Sequence, residues 1–419
     1  MIDLPLMRNS ERKDFKTCQT KWNWSWNHGL VLKIPTTSAA WFGTGWHLVW
    51  AEYYTPPKGK DGFHRGRDPH ETWAEYCKGE YAAISSGPYW DEVAEKEWHD
   101  AEALGHIMID NYLAEYGNPA DPHWEVLMPE TRIRAKIPYN ARQISSEHYG
   151  IDHLSRGKFI TELVGTIDMP IRDHSFDPPR IVVVDHKTTN KKENVRWLTK
   201  DDQGGSYIAI GTPYLRKHGL ILPDESIWGA IWSYARKGKA PDPATTDNEG
   251  RVRNAPQKKH YAEQLAGMTI DGVYYTEEML MDMPIKSTAK KPPLLLPQLA
   301  EKANVRVLGD ISSRQPSPLF WREPVERGQA NRARQVERIA DDAEQMALIR
   351  SGNLAVTKNP GEHCNWCQFN DLCDLDENRD ETDEYIKAVY DVRDPYADHR
   401  EGARNSKETV TAKKETGVQ

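Results

Sequence analysis

The stretch that most restricts what this chain can become is VGTIDMPIRDHSFDPPRIVVVDHKTT, residues 164–189. Residues 159–171 are rich in β-formers around Gly165 and Asp168, and residues 181–184 are a β-branched run leading into Asp185, His186 and Lys187. The linker RDHSFDPPR is polar and closes on Pro178 and Pro179, which predicts a hairpin. Asp168 and Asp185 then face each other. Side chains alternate along a strand, so Asp185 and Lys187 share a face and His186 points away. Alone, Asp-x-Lys equally describes a surface ion pair at a strand end. Two facing carboxylates beside an ammonium also suit a hard divalent ion, which takes oxygen ligands and keeps places for water and phosphate.

The 419 residues allow two or three domains, or one large α/β core with insertions. A net charge of -8 excludes a chain coated in basic residues, so any nucleic-acid contact must be a local patch. Most of the 15 tryptophans are expected to pack, with some available to stack on bases. The opening MIDLPLMRNSERKDF has charges and no apolar core, so no signal peptide is expected, and runs such as IVVV are too short to cross a bilayer. A cytoplasmic protein with no membrane partner is the expectation. Five cysteines in that compartment read as reduced, metal-binding or incidental.

Residues 9–33 predict a short helix opened by Asn9 or Ser10, with Cys18 among Lys21, Trp22, Trp24 and Trp26. Gly43, Thr44 and Gly45 stand just before a predicted helix in which His47, Ala51 and Tyr54 share a face. Residues 55–70 carry Pro, Gly and charge without periodicity and read as a mobile loop or insertion. Helices are expected over 71–84, the location of Cys77, and over 91–116. Residues 124–138 alternate around Arg132, Arg134 and Lys136 as one strand, entered by Glu130.

After the hairpin, residues 188–196 are basic and polar, suited to phosphates. Gln203 and Tyr207 are four apart and would share a helix face, but Gly204, Gly205, Gly211 and Pro213 argue against a regular helix. Residues 225–241 read as a strand ending in Arg236, Lys237 and Lys239; 238–300 are loop-rich with a short helix near 260–266; 325–351 predict a long charged helix. Cys364, Cys367 and Cys373 follow at C-x2-C-x5-C, one ligand short of a four-thiolate site. Cys18 is the natural fourth, and spacing leaves structural zinc and an iron–sulfur cluster both open.

In order, then, come a cysteine, Gly43-Thr44-x-x-His47, Gly165-x-x-Asp168, Asp185-x-Lys187, Gln203-x-x-x-Tyr207 and three cysteines. This order resembles the RecB-type branch of the PD-(D/E)XK nucleases, more narrowly its iron–sulfur exonucleases of CRISPR-associated and phage origin, over roughly residues 9–375. One departure is that Ile167 precedes Asp168, while Pro170 follows it.

The resemblance implies an α/β fold: a PD-(D/E)XK nuclease core of αβββαβ type with a mixed central sheet, a helical cover and a C-terminal cysteine-cluster segment. Its segments would be 1–40 with the cluster cysteine, 41–123 as cover, 124–300 as core with a loop insertion, 301–378 as C-terminal helix and cysteine segment, and 379–419 as a charged tail with the last twenty residues disordered. It implies Mg²⁺ or Mn²⁺ on His47, Asp168, Asp185 and the peptide carbonyl of His186, with Glu130 a further acidic contribution. Lys187 would orient or deprotonate the attacking water, and Gln203 and Tyr207 would hold the DNA backbone. Cys18, Cys364, Cys367 and Cys373 would bind a 4Fe-4S cluster, or alternatively zinc.

The expected activity is metal-dependent DNA hydrolysis, as an exonuclease in recombination, replication or end processing in a bacterial or phage-infected cell. DNA that is single-stranded or has free ends, and a recombination or replication protein, are the expected partners. The alternatives are a structure-specific endonuclease using the same site, or a DNA-end-binding subunit in which catalysis is secondary.

Overall fold

The computed structural model describes residues 4–33, 40–86, 90–139, 158–192, 195–287 and 293–400. The chain forms two units: residues up to Thr189, 193–235 and from Phe320 onward make the first, and 236–319 with 190–192 the second.

In the first unit, β1 (Leu6–Arg8) leads into α1 (Asn9–Thr17), α2 (Gln19–Trp22) and β2 (Leu30–Leu32). Then come α3 (Ala40–Tyr54), α4 (Pro69–Ile84), α5 (Glu92–Tyr116), β3 (Trp124–Val126), β4 (Thr131–Pro138), β5 (Phe159–Ile167), β6 (Met169–Asp173) and β7 (Arg180–Thr189). α6 (Asp202–Lys217) and β8 (Ile227–Arg236) precede the second unit, which holds α7 (Lys258–Leu265), the β9–β10 ribbon (Thr269–Ile270, Val273–Tyr274), α8 (Glu277–Asp282) and α9 (Leu296–Lys302). Tyr261, Leu265, Leu280, Leu296 and Leu299 form that unit's own core. The chain returns as β11 (Phe320–Glu326), α10 (Gln329–Arg350), α11 (Asn370–Asn378), α12 (Asp383–Val389) and β12 (Tyr390–Val392).

The central sheet has the order β11-β8-β7-β6-β3, and a second sheet the order β1-β5-β4 with β1 parallel to β5. Both strands expected to be continuous, over 124–138 and 159–171, are broken at the same level. β4 pairs with β5 up to Thr131 opposite Ile167, whereas β3 pairs with β6 from Val126 opposite Ile171. Between them the Leu127 amide donates to the Pro170 carbonyl at 3.0 Å and the Glu130 amide to the Asp168 carbonyl at 2.6 Å. One strand pair thus steps from one sheet to the other, and Asp168 is the residue at the step.

Several glycines serve close packing, so the expectations built on them change. α3 begins at Ala40, which puts Gly43 and Gly45 inside the helix; a Cβ on Gly45 would come within 2.5 Å of the Tyr76 ring and 2.7 Å of Trp73. The glycines near Gln203 do not interrupt α6. A Cβ on Gly204 would stand 2.4 Å from the Trp232 ring, and one on Gly205 2.7 Å from Gln335 Oε1, so the missing side chains let α6 lie against β8 and α10.

Buried charge fixes the same helix as well. Arg12 on α1 is fully buried and donates to Asp342 on α10 (2.7 Å), Asp202 (3.1 Å) and Ser206 (3.0 Å) on α6.

The 55–70 loop is largely exposed but anchored at two points. Arg65 donates to the carbonyls of Ala120 (3.0 Å) and Asp121 (2.5 Å), and the Val126 amide donates to the Gly62 carbonyl at 2.9 Å. The segment from Arg379 is likewise ordered as far as Arg400: β12 pairs antiparallel with β2, and Tyr390 packs with Leu30, Phe369 and Leu372. The last nineteen residues, 401–419, lie outside the described residues. The helix expected over 325–351 starts only at Gln329, because Trp321 and Val325 are drawn into β11 beside Tyr234 and Ala230. No described helix is long and apolar enough to cross a membrane.

Helix propensity alone would make Gly204→Ala stabilising by about 1 kcal/mol. The clash with Trp232 predicts a net loss of roughly 1–3 kcal/mol, read as a lower denaturant midpoint at unchanged slope.

Candidate metal and nucleic-acid site

The β6–β7 ladder runs from Asp173 opposite Arg180 to Met169 opposite Val184, so one further step sets Asp168 against Asp185. α3 brings the third group: His47 Nδ1 lies 3.5 Å from Asp168 Oδ2. Ligand atoms of His47, Asp168 and Asp185 all lie within 4.8 Å of one another. Oδ2 of Asp185 and Oδ2 of Asp168 are buried without a hydrogen-bond partner among the described residues. Lys187 Nζ stands 2.8 Å from Asp185 Oδ1 as the local counter-charge. Unsatisfied buried carboxylate oxygens beside an imidazole suit Mg²⁺ or Mn²⁺, hard ions that accept oxygen, with nitrogen tolerated by the latter.

The charges follow from position. Burial pushes the Asp168 carboxyl well above the usual carboxylate range, with the charges of Asp185 and Glu130 adding to it. Burial pushes Asp185 the same way, but Lys187 and then His47 pull it below its ordinary value. Burial lowers His47 to about 4 against the raising pull of Asp185, with Lys187 lowering it further, so the ring is neutral and has a lone pair to give at pH 7. Burial would lower Lys187, yet Asp185 and Asp168 outweigh it and hold the ammonium charged.

The alternation along β7 holds. His186 is buried on the other face, its ring parallel to Trp50 (6.1 Å) and Tyr54 (6.1 Å). Burial keeps that ring neutral, helped by the positive charges nearby. Gln203 Nε2 donates to the Tyr207 hydroxyl at 3.1 Å, as the four-residue spacing predicts. Burial and the carboxylates of Asp168 and Asp185 raise the Tyr207 phenol, so it stays protonated. Glu130, in a positive-φ turn at 39°, acts on both Asp168 and Tyr207.

A cleft of about 880 Å³ holds Asp168, Lys187, Gln203 and Tyr207 together with Lys13, Lys16, Trp197, Lys200 and Asp201. Five of these, Lys13, Lys16, Trp197, Lys200 and Asp201, were not singled out from the sequence. Asp201 caps α6 by accepting from the Gly204 amide at 2.7 Å, and burial followed by the Asp185 charge raises its carboxyl. The pattern of an acid before a helix start could have found it. Trp197 and Lys200 lie on a short 3-10 turn (Arg196–Lys200) that no periodicity announces.

The cysteines sit elsewhere in this unit. Cys18 lies in the extended residue between α1 and α2; Cys364 is in a turn (Glu362–Trp366), Cys367 closes it, and Cys373 is on α11. Burial raises Cys367, with Cys18 and Cys364 adding, and burial raises Cys373, with Lys358 opposing and Cys18 adding. The N-terminal cysteine therefore sits near two of the three C-terminal ones. Asn359 Nδ2 donates to the Thr17 carbonyl at 2.9 Å and ties the same two segments. Cys77 is fully buried in α4 and its thiol is pushed up to about 12, chiefly by burial, which makes it a packing residue.

A sequence profile of the PD-(D/E)XK nuclease superfamily matches residues 10–374. The chain therefore belongs to that superfamily, whose members are nucleases, and its substrate is nucleic acid. No curated protein matches it.

Metal and proton compete for the raised Asp168 carboxyl, so Mn²⁺ binding should release about one proton and tighten as pH rises. Calorimetry in buffers of different ionisation enthalpy reads this directly. Buffer-independent heats would mean that the acids are already fully ionised, and Asp168→Asn should abolish the release.

Proposed function

We propose that the protein is a divalent-metal-dependent DNA nuclease acting at ends, an exonuclease of the RecB-type iron–sulfur branch. The observation that carries this is the convergence of His47, Asp168 and Asp185 within 4.8 Å, beside Lys187, with Asp168 and Lys187 lining a cleft together with Gln203 and Tyr207. When bound there, Mg²⁺ or Mn²⁺ polarises a phosphoryl oxygen and lowers the pKa of a water.

His47, Asp168 and Asp185 hold the ion, with the His186 peptide carbonyl as a further ligand and Glu130 as an acidic neighbour. Lys187 serves as a charged donor to the attacking water and the pentavalent phosphate, because the carboxylates keep its proton on. Its position beside Asp185 and at the wall of the cleft would put that ammonium within reach of a phosphate held at the same carboxylate. Gln203 and Tyr207, linked to each other and still protonated, donate to the DNA backbone. Lys187→Ala should cost roughly 10²–10³ in rate, as removing one transition-state donor does, and Asp185→Ala at least as much. Their circular-dichroism spectra should match the wild type. Cleavage by Asp185→Ala at the wild-type rate would remove the assigned centre.

The exonuclease reading is supported by the covering of β7 by α3 and by a cleft scaled to a few nucleotides of one strand. With Mg²⁺ or Mn²⁺, end-labelled linear DNA should be degraded and covalently closed circles spared; rapid linearisation of circles would establish the endonuclease alternative instead. Roles in recombination, replication or end processing, in a bacterial or phage-infected cell, follow from the resemblance.

Cys18, Cys364, Cys367 and Cys373 bind a 4Fe-4S cluster on this reading, zinc being the alternative. It rests on soft thiols brought together from both ends of the chain, where a shared group acts as a long-range crosslink. Protein purified without oxygen should be brown, with iron and sulfide in near-equal amounts. Cys18→Ser should lose the colour and melt earlier, while Cys77→Ser keeps the colour. Colourless protein with one zinc would replace the cluster with a structural metal.

A further inference from the structure

Among the described tryptophans, only Trp197 (51%) and Trp366 (73%) rank as exposed, and of these Trp197 alone lines the cleft that contains Asp168 and Lys187. Its presentation is enforced. Leu198 is buried, and the fully shielded Arg327 donates to the carbonyls of Leu198 (3.1 Å) and Asp201 (2.9 Å), pinning the turn from below. With its neighbour pointing inward on a turn of three residues per cycle, the indole of Trp197 must face outward. A large aromatic face held toward solvent on a rigid turn loses little freedom on binding, which is what a stacking platform needs.

The same cleft supplies cations and hydrogen-bonding groups for a backbone. Lys13 on α1 and Lys200 on the turn line it, with Asn9 and Ser10 at the start of α1. Lys16 also lines it, but its ammonium is held by Asp202 (2.6 Å) and Asp342 (2.9 Å). A volume of about 880 Å³ lies within the roughly 300–1,000 Å³ of small-ligand pockets, which suits a few nucleotides of one strand. In an intact duplex the base faces are already covered by their neighbours.

We propose that Trp197 stacks on a base of an unpaired strand whose phosphates pass Lys13 and Lys200, so that the nucleic acid entering the site is single-stranded. This rests on the nuclease reading, whose substrate class it narrows.

The test is binding of a labelled oligodeoxythymidine, and of a blunt duplex of the same length, to the full chain in EDTA so that nothing is cut. Trp197→Ala should weaken single-strand binding roughly 5- to 100-fold, the range of one lost base–aromatic stack, while Trp197→Phe restores most of it. Lys13→Ala should reduce the salt slope by about 0.7 for single strands. The melting temperature of Trp197→Ala should stay unchanged, since the indole is exposed. A single abasic position moved along the oligonucleotide should weaken wild-type binding at one place and have no effect there in Trp197→Ala. Equal single-strand affinity of wild type and Trp197→Ala, an abasic penalty that persists in the variant, an equal loss on the duplex, or no binding of the strand by wild type would each overturn the proposal. The two readings separate cleanly. Cleavage with Mg²⁺ but no Trp197 effect removes the stacking platform and leaves the nuclease; a Trp197-dependent abasic penalty without cleavage does the reverse.

Discussion

The register between β6 and β7 is the constraint on which the rest of the site depends. It sets Asp168 against Asp185, and a slip of one residue would exchange the faces of Asp185, His186 and Lys187. Hydrophobic alternation cannot fix that register, because residues 181–186 are buried on both faces. The polar end of the strand does so. His186 matches an aromatic pocket of Trp50, Tyr54 and Tyr112, while Asp185 and Lys187 pair with each other at the cleft. The step from one sheet to the other at Asp168 supplies the second half of the constraint, since Glu130 enters at the same level through its amide.

Around this point the helices are placed by buried charge as much as by apolar contact. Arg322 on β11 makes a two-pronged pair with Asp121 at 2.7 Å on each side and lies over the Tyr116 and Trp124 rings, linking the end of α5 to the central sheet. Arg12 does the same for α1, α6 and α10. Such pairs add little net stability, but removing one partner leaves a buried charge without compensation, so alternative placements of these helices are costly. The apolar core formed by Ile167, Val183, Ile208, Trp232 and Ile339 packs beside these charged contacts.

The parts of this arrangement visible in the sequence are those with a short period. Asp185 and Lys187 declare a shared face through alternation, and Gln203 with Tyr207 through helical spacing. Residues whose meaning depends on a distant partner were misread or missed. Gly45 reads as a helix entry and Gly204 and Gly205 as breakers, because the rings and side chains they make room for lie on other elements. Residues 55–70 read as a mobile loop or insertion, and their anchoring through Arg65 is invisible locally because its carbonyl acceptors at Ala120 and Asp121 lie more than fifty positions away. Residues 383–400 read as tail because composition cannot reveal that β12 completes a ribbon with β2. The two broken strands escape for a related reason: the break comes with a change of partner, and Pro129 in the gap between β3 and β4 is a local mark of it.

The electrostatics of the cleft then link its two ligands. Asp168, Asp185, Glu130 and Asp201 gather around one close ammonium, that of Lys187, so the inner end of the cleft repels an anionic backbone. Lys13 and Lys200 line the same cleft and attract it. A strand held by the lysines and by Trp197 can bring a phosphate to Asp168 and Asp185 only when a cation offsets those carboxylates. On the proposed reading, metal and nucleic acid therefore bind with positive coupling, and by linkage each must raise the affinity of the other by the same factor. The burial that opposes negative charge on Asp168 without metal is thus also what ties productive strand binding to occupancy of the metal centre.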